Sequence, residues 1–166
     1  WNVSCGEDEV RAGEMIWYQA IGAPGNYTRT YLLRGETHIG NGMVLVGVTS
    51  KMIPEGGFIV GLGLDSGDEV WRIHSVARPG ETGGNTWNNL SLKDRSGGSV
   101  WVPGSYDPEL DLAYYGTAPT YDTAPLLYSL NEEGVSNEAL YTNATIAFRP
   151  QTGDLICYSQ HWPIDK

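Results

Sequence analysis

The sequence lacks long segments that are free of both glycine and proline. Its 166 residues include 22 glycines and 9 prolines, a share well above the roughly 12% of average usage. The longest run without either residue, Val135 to Arg149, has only 15 residues. Because glycine and proline both disfavour helix interiors, this composition excludes long helices and favours short strands joined by turns.

Long apolar segments and basic clusters are also missing. No stretch approaches the ~20 apolar residues that a membrane-spanning helix needs. Asp and Glu number 20 against 10 Lys and Arg, which gives a formal net charge of −10. Since nucleic-acid binding depends on a basic patch, we expect no nucleic-acid partner and no membrane span in this chain.

Cysteine is scarce, and the two cysteine positions do not indicate in which cellular compartment the protein works. Cys5 and Cys157 lie far apart in the sequence, which makes neither a zinc pattern nor a dense disulfide framework. Cys157 stands inside the apolar run 155–158 and is predicted to be a buried small hydrophobe. A bridge between the two cysteines remains open.

A six-residue pattern occurs three times in the chain, at 12–17, 66–71 and 152–157. Its order is a small residue, glycine, an acid, any residue, a β-branched residue, and an aromatic residue or thiol. The glycine provides the positive φ that closes a short loop between two strands. Runs rich in β-formers, 58–64 and 144–148, precede the second and third copies, so each copy predicts a hairpin.

The last position of the pattern holds Trp17, Trp71 and Cys157. A large aromatic repeated at one point of a hairpin implies a neighbouring unit for it to dock against. The copies are 54 and 86 residues apart, against ~40–45 for a four-stranded propeller blade, which favours blades with insertions. Further strand signals lie at 43–48 and 112–115.

The predicted fold is therefore all-β, a β-propeller fragment of about two to three four-stranded blades. We expect a single partial domain over 1–166. Residues 1–35 form the end of one blade and a connecting loop, 36–77 the second blade, and 78–166 an insertion loop with the third blade. Because so few blades cannot close a ring of four to eight, the chain is expected to be part of a larger propeller.

The segment 78–121 is rich in Gly, Trp and Pro and carries the most specific signals. It contains Ser-Val-Trp at 99–101 and Tyr-Asp-Pro at 106–108. Two further motifs are the six-residue pattern described above and the ending Pro163-Ile164-Asp165. Together these motifs resemble, over roughly residues 36–166, the pyrroloquinoline-quinone-dependent dehydrogenases, the methanol and alcohol dehydrogenase family, which are eight-bladed propellers.

This resemblance implies an enzyme that oxidises an alcohol, or a similar hydroxyl compound, by hydride transfer to pyrroloquinoline quinone. It also implies a periplasmic or secreted protein whose electrons pass to a cytochrome c or a quinone acceptor. Such a cofactor carries the redox chemistry, while the protein binds and orients it.

Four residues match functional positions of the family. Trp101 resembles the tryptophan that forms the floor under the quinone, and a flat indole is well suited to stack on a flat conjugated ring. Ser99 matches a hydroxyl residue that hydrogen-bonds the cofactor, and Thr49 stands where a small or hydroxyl residue lies beside the cofactor carboxylates. Asp165 resembles the catalytic aspartate, the general base that takes the alcohol proton.

The family also binds Ca²⁺ or a lanthanide through a Glu, an Asn and sometimes an Asp, oxygen ligands that suit such ions. Here Pro119 stands in the place of the Asn and Met52 in that of the Glu, with Glu55 the nearest carboxylate. Two readings stay open. Either the metal site is rebuilt from Glu55, Asp122 and Asp165, or this is a divergent branch that binds the cofactor differently or has lost it.

A second hypothesis is a non-catalytic propeller scaffold that binds a protein partner, similar to the propeller lipoprotein of outer-membrane assembly. It uses the same docking pattern without a cofactor, and the missing metal ligands favour it. In that case Trp101 is one more inter-blade aromatic and Asp165 an ordinary turn residue.

Overall fold

The computed structural model describes residues 37–49 and 55–162, which form two four-stranded antiparallel sheets, each with its strands in chain order. The first sheet contains β1 (His38–Gly40), β2 (Met43–Val48), β3 (Phe58–Gly63) and β4 (Glu69–His74). The second contains β5 (Ser105–Asp107), β6 (Leu112–Gly116), β7 (Ala144–Phe148) and β8 (Leu155–Gln160). Single 3-10 turns lie at Gly84–Thr86, Leu92–Asp94 and Ala124–Leu126.

The predicted all-β class and the two predicted hairpins are confirmed. The sheet β1–β4 falls within residues 36–77, and the sheet β5–β8 falls within 78–166. Within the described ranges, no helix has the length and apolar character to cross a membrane.

The central strands of the first sheet are buried on both faces. Every residue of β2 is buried, and so are all residues of β3 except its last, which accounts for their nearly unbroken apolar sequence. Alternate side chains point to opposite faces, and Leu45 and Ile59 reach the core shared with the second sheet. There the hydroxyl of Tyr115 donates to the carbonyl of Leu45 at 3.3 Å, and burial raises the pKa of Tyr115 to about 12.

Trp71 of β4 joins the two sheets. Its indole Nε1 donates to the carbonyl of Pro150 at 2.8 Å, and its ring meets Phe148 edge to face at 5.3 Å between centroids. A Cβ added to Gly153 would lie 2.7 Å from the indole, so the ring rests directly on the turn before β8. The docking predicted for this tryptophan is therefore confirmed.

The thiol of Cys157 occupies the equivalent position in the second sheet. Trp71 pairs with Gly61 in the first sheet and Cys157 with Ala147 in the second, each with a register shift at the next residue of the inner strand. Cys157 is nevertheless exposed and its thiol free, so its predicted burial was wrong. In the described part of the chain β8 is an outer strand. The second sheet covers Trp71, whereas no further described sheet packs over Cys157. Cys5, like Trp17, lies outside the described residues.

The connection between the sheets is organised around a buried guanidinium. Arg95 donates through Nε to the carbonyl of Leu90 and through Nη2 to that of Gly84, both at 2.9 Å, and through Nη1 to that of Ala77. Its guanidinium also lies 5.5 Å from the ring centroid of Trp87. Burial lowers the pKa of Arg95, and the three carbonyl acceptors compensate this desolvation.

His74 ends β4 among charged neighbours. Burial is the main cause that lowers its pKa, followed by the positive charge of Arg78, and together with smaller effects they bring the pKa to about 4. Its ring meets Phe58 at an angle of 60° and 6.4 Å between centroids. The imidazole is therefore neutral at physiological pH.

We predict that Gly153→Ala destabilises the full-length protein more than Gly134→Ala does. The two glycines have φ values of 74° and 75°, so they share the same backbone strain on substitution. Only at Gly153 would the new Cβ meet an indole, whereas nothing lies within 4 Å at Gly134. The clash adds a loss of about 1–3 kcal/mol, measurable by denaturant unfolding. Equal losses would show that Trp71 does not depend on this glycine.

We predict that His74 makes stability fall as the pH drops from 6.5 towards 4. The folded-state pKa is about 4, against an ordinary value of 6.5 for histidine, so the unfolded state binds more protons between these two pH values. The neutral imidazole therefore contributes its full stability only above about pH 6.5. In His74→Gln the loss of unfolding free energy between pH 6.5 and about 5 should be smaller than in the natural protein. His161→Gln, at an exposed histidine, is the control. Parallel pH slopes in all three proteins would contradict the prediction.

Candidate functional site

A glycine-containing loop, residues 97–101, lies between the ends of the two sheets. The backbone N–H of Val100 donates to the carbonyl of Val48, the last residue of β2, at 3.3 Å. The N–H of Gly98 donates to the carbonyl of Pro119, three residues after β6, at 3.2 Å. The loop therefore binds the end of β2 on one side and the exit from β6 on the other.

These bonds bring together the three residues predicted to bind the cofactor. Thr49 directly follows Val48, and Ser99 and Trp101 stand on either side of Val100 in the chain. The bond between Val100 and Val48 therefore places Thr49 beside the Ser-Val-Trp segment, although about fifty residues of sequence separate them.

Close backbone packing fixes the position of this loop. Gly97 and Gly98 have φ values of 105° and 60°, a region that favours glycine. A Cβ at Gly57 would clash with the carbonyl oxygen of Gly98. The buried hydroxyl of Ser75 lies 2.7 Å from the carbonyl of Gly57 and also bonds that of Gly98. The loop can therefore move little relative to the first sheet.

The side chains at the site differ sharply in exposure. Trp101 is 56% exposed, whereas Ser99 is fully buried, and the Oγ of Ser99 accepts a hydrogen bond from the hydroxyl of Tyr121 at 2.7 Å. The Oγ1 of Thr49 is buried and has no hydrogen-bond partner within the described ranges. Leaving a buried hydroxyl unsatisfied costs about 1–3 kcal/mol, which a polar ligand atom at this point would offset.

The described residues fit one wall of a quinone site. A flat conjugated ligand needs an accessible aromatic face and a few polar groups to fix its orientation. Trp101 has the accessible indole, whereas the hydroxyls of Thr49 and Ser99, close by in the backbone, are both buried. The alternative, an inter-blade aromatic, describes Trp71 and the fully buried Trp87 better than it describes Trp101.

The described residues do not fit the metal site. Glu55 is paired with Arg78, whose Nη1 and Nη2 both lie 3.2 Å from its Oε2. Asp122 accepts the N–H of Ala124 through Oδ1 at 3.1 Å. Calcium needs six to eight oxygen ligands, and within residues 37–49 and 55–162 no three His, Cys, Asp or Glu side chains are grouped to hold an ion. Met52 and Asp165 lie outside the described residues.

The C-terminal part of the described chain returns to the same region. The N–H of Ala118 donates to the carbonyl of Ser99 at 2.9 Å, and the carbonyl of Ala118 accepts the N–H of Asn143 at 3.0 Å. The amide Nδ2 of Asn143 donates in turn to the carbonyl of Trp162 at 3.1 Å. Three hydrogen bonds thus link the Ser99 segment to the residue three positions before Asp165.

Sequence reasoning missed two pairings of the site. The bond from Tyr121 to Ser99 spans 22 residues and the ion pair between Arg78 and Glu55 spans 23. No spacing rule predicts either contact, because both depend on how the loop folds against the sheet ends.

Sequence comparison identifies relatives across nearly the whole chain. Residues 11–164 match the family described as PQQ, glucose/ethanol/alcohol dehydrogenase, beta-propeller domain. The quinohemoprotein alcohol dehydrogenase ADH IIB of Pseudomonas putida is 29% identical over 95% of this chain and 23% of its own length. The dehydrogenase subunit of the quinone alcohol dehydrogenase of Gluconobacter oxydans is 26% identical over the same shares.

Solved structures share the fold. The quinohemoprotein alcohol dehydrogenase ADHIIG of Pseudomonas putida HK5 superposes with a TM-score of 0.67 at 23% identity, over 83% of this chain and 21% of that one. A europium-containing methanol dehydrogenase gives 0.66 at 26% identity, over 81% and 25%. The chain spans about a quarter of the length of the curated relatives that it matches. It belongs to the PQQ-dependent glucose/ethanol/alcohol dehydrogenase β-propeller domain family.

Proposed function

We propose that the whole protein is a quinone-dependent dehydrogenase that oxidises an alcohol or a similar hydroxyl compound, and that this chain forms one wall of its pyrroloquinoline quinone site. The observation that carries the proposal is the bond between Val100 and Val48. It brings the backbone at Thr49 close to the segment that contains Ser99 and Trp101, which supports the proposal. The names of the relatives support the same activity.

Each of the three residues has a distinct part in binding. Trp101 offers an exposed indole face on which a flat ring stacks. Ser99 is fully buried and held by the hydroxyl of Tyr121, so its part is to position the chain beside Trp101. The hydroxyl of Thr49, which has no partner among the described residues, gains a hydrogen bond when the ligand arrives. The bound quinone supplies the hydride acceptor, which no amino-acid side chain provides.

Asp165 acts as the general base in this proposal, taking the proton of the substrate hydroxyl on its carboxylate. The assignment rests on the family resemblance, since the residue lies outside the described ranges. It is supported by the position of Trp162, which is linked through Asn143 and Ala118 to Ser99. Asp165 follows Trp162 by three residues in the sequence.

The family resemblance adds a cellular location and an electron acceptor to the proposal. They are a periplasmic or secreted location and a cytochrome c or a quinone as electron acceptor. The acidic net charge of −10 suits a soluble surface.

We predict that Trp101→Ala in the full-length protein weakens quinone binding about tenfold or more, because it removes the stacking surface. Equilibrium dialysis with quinone absorbance as readout measures this without relying on tryptophan fluorescence. Tyr128→Ala, at an aromatic side chain that is 84% exposed, is the matched control. Unchanged affinity in Trp101→Ala would refute the stacking role, and no quinone binding by the natural protein would favour the scaffold hypothesis.

We predict that Asp165→Asn lowers dye-linked alcohol oxidation about a hundredfold or more, the usual scale for losing a general base. Quinone affinity should stay within about threefold, because the substitution keeps the side-chain volume and leaves the stacking surface intact. Asp154→Asn, at an exposed turn position, is the control. Full activity in Asp165→Asn would show that another group takes the proton.

A further inference from the structure

An ion pair stands at the end of the first sheet where the chain enters β3. Oε2 of Glu55 lies 3.2 Å from Nη2 of Arg78, and each side chain is only 19% exposed. Glu55 has φ of 76°, and its backbone N–H donates to the carbonyl of Arg95 at 3.0 Å. The backbone N–H of Arg78 bonds Oε2 of Glu81 at 3.2 Å. Backbone contacts thus hold both partners of the pair.

Glu55 is the first carboxylate after Thr49 in the sequence, six residues further along. A hard cation beside Thr49 would need carboxylate oxygens of this kind. A guanidinium that bonds the same oxygen competes for its lone pairs, and its positive charge repels a metal cation. The ion pair therefore works against metal binding at this carboxylate.

Two other oxygen donors near the loop also accept hydrogen bonds. The carbonyl of Pro119, which stands where the family has its Asn, accepts the N–H of Gly98 at 3.2 Å. Oδ1 of Asp122 accepts the backbone N–H of Ala124 at 3.1 Å. Neighbouring His74 keeps its positive form only at low pH, since burial and then Arg78 bring its pKa to about 4. The positive charge next to Glu55 at neutral pH is thus the guanidinium of Arg78.

We propose that this protein binds pyrroloquinoline quinone without Ca²⁺ or a lanthanide ion, with the Glu55–Arg78 ion pair taking the place of a metal and its carboxylate ligand. The inference rests on the proposed function, because it concerns the same quinone site. It separates this chain from the metal-binding pattern that the family resemblance implies.

The test is a quinone titration of the full-length protein by equilibrium dialysis, first with EDTA, then with Ca²⁺ and then with La³⁺. We expect the three Kd values to agree within about threefold. Tightening by either metal of about tenfold or more would overturn the inference and leave the proposed function standing. No binding under any condition would overturn the proposed function and the inference with it.

A direct metal probe is Tb³⁺ luminescence sensitised by tryptophan, with the same full-length protein. We expect that Glu55→Gln does not abolish any saturable Tb³⁺ signal of the natural protein. Glu69→Gln is the matched control, because Glu69 makes a similar bridge to Arg72, at 2.7 Å. Saturable Tb³⁺ binding that is lost in Glu55→Gln and kept in Glu69→Gln would identify Glu55 as a metal ligand and overturn the inference. The titration of the natural protein decides the question even if Glu55→Gln does not fold.

Discussion

The contact between Trp71 and the turn at Gly153 joins the two sheets whose ends carry the candidate site. The indole fills the space above a residue without a side chain, and its Nε1 bonds the carbonyl of Pro150 at 2.8 Å. This contact fixes the second sheet against the first, since β4 and β8 belong to different sheets. Shape and one directional hydrogen bond act together, so the two sheets have one favoured arrangement.

The loop at 97–101 depends on that arrangement. It bonds Val48 at the end of one sheet and Pro119 beyond the end of the other, so it is in register only when the sheets are correctly placed. A Cβ at Gly47 would lie 2.6 Å from Val100, which shows how little space the backbone leaves. An exposed Trp101 on such a loop is a preorganised surface, because the loop has already been ordered in the folded protein.

The strands could be predicted from the sequence because their signals are local. The apolar run of β2 and the turn glycine at Gly67 each act over a few residues. The exposure of Cys157 could not be predicted, since a strand position tells which residues pair but not what lies beyond the outer strand. The same limit applies to Tyr121 on Ser99. Motif similarity predicted the candidate site residues, while their hydrogen-bond partners required the folded chain.

Two arginines of this region, Arg95 and Arg78, are shielded from solvent but have different kinds of partner. Arg95 donates to three carbonyls, neutral acceptors that satisfy its hydrogen bonds, and it forms no ion pair within the described ranges. Arg78 meets a carboxylate instead, so the charges of both partners are balanced inside the protein. A balanced pair has little electrostatic attraction left for a further cation. Among the described residues near Thr49, Glu55 and Arg78 thus balance each other's charge before any ligand binds, and the indole of Trp101 remains exposed.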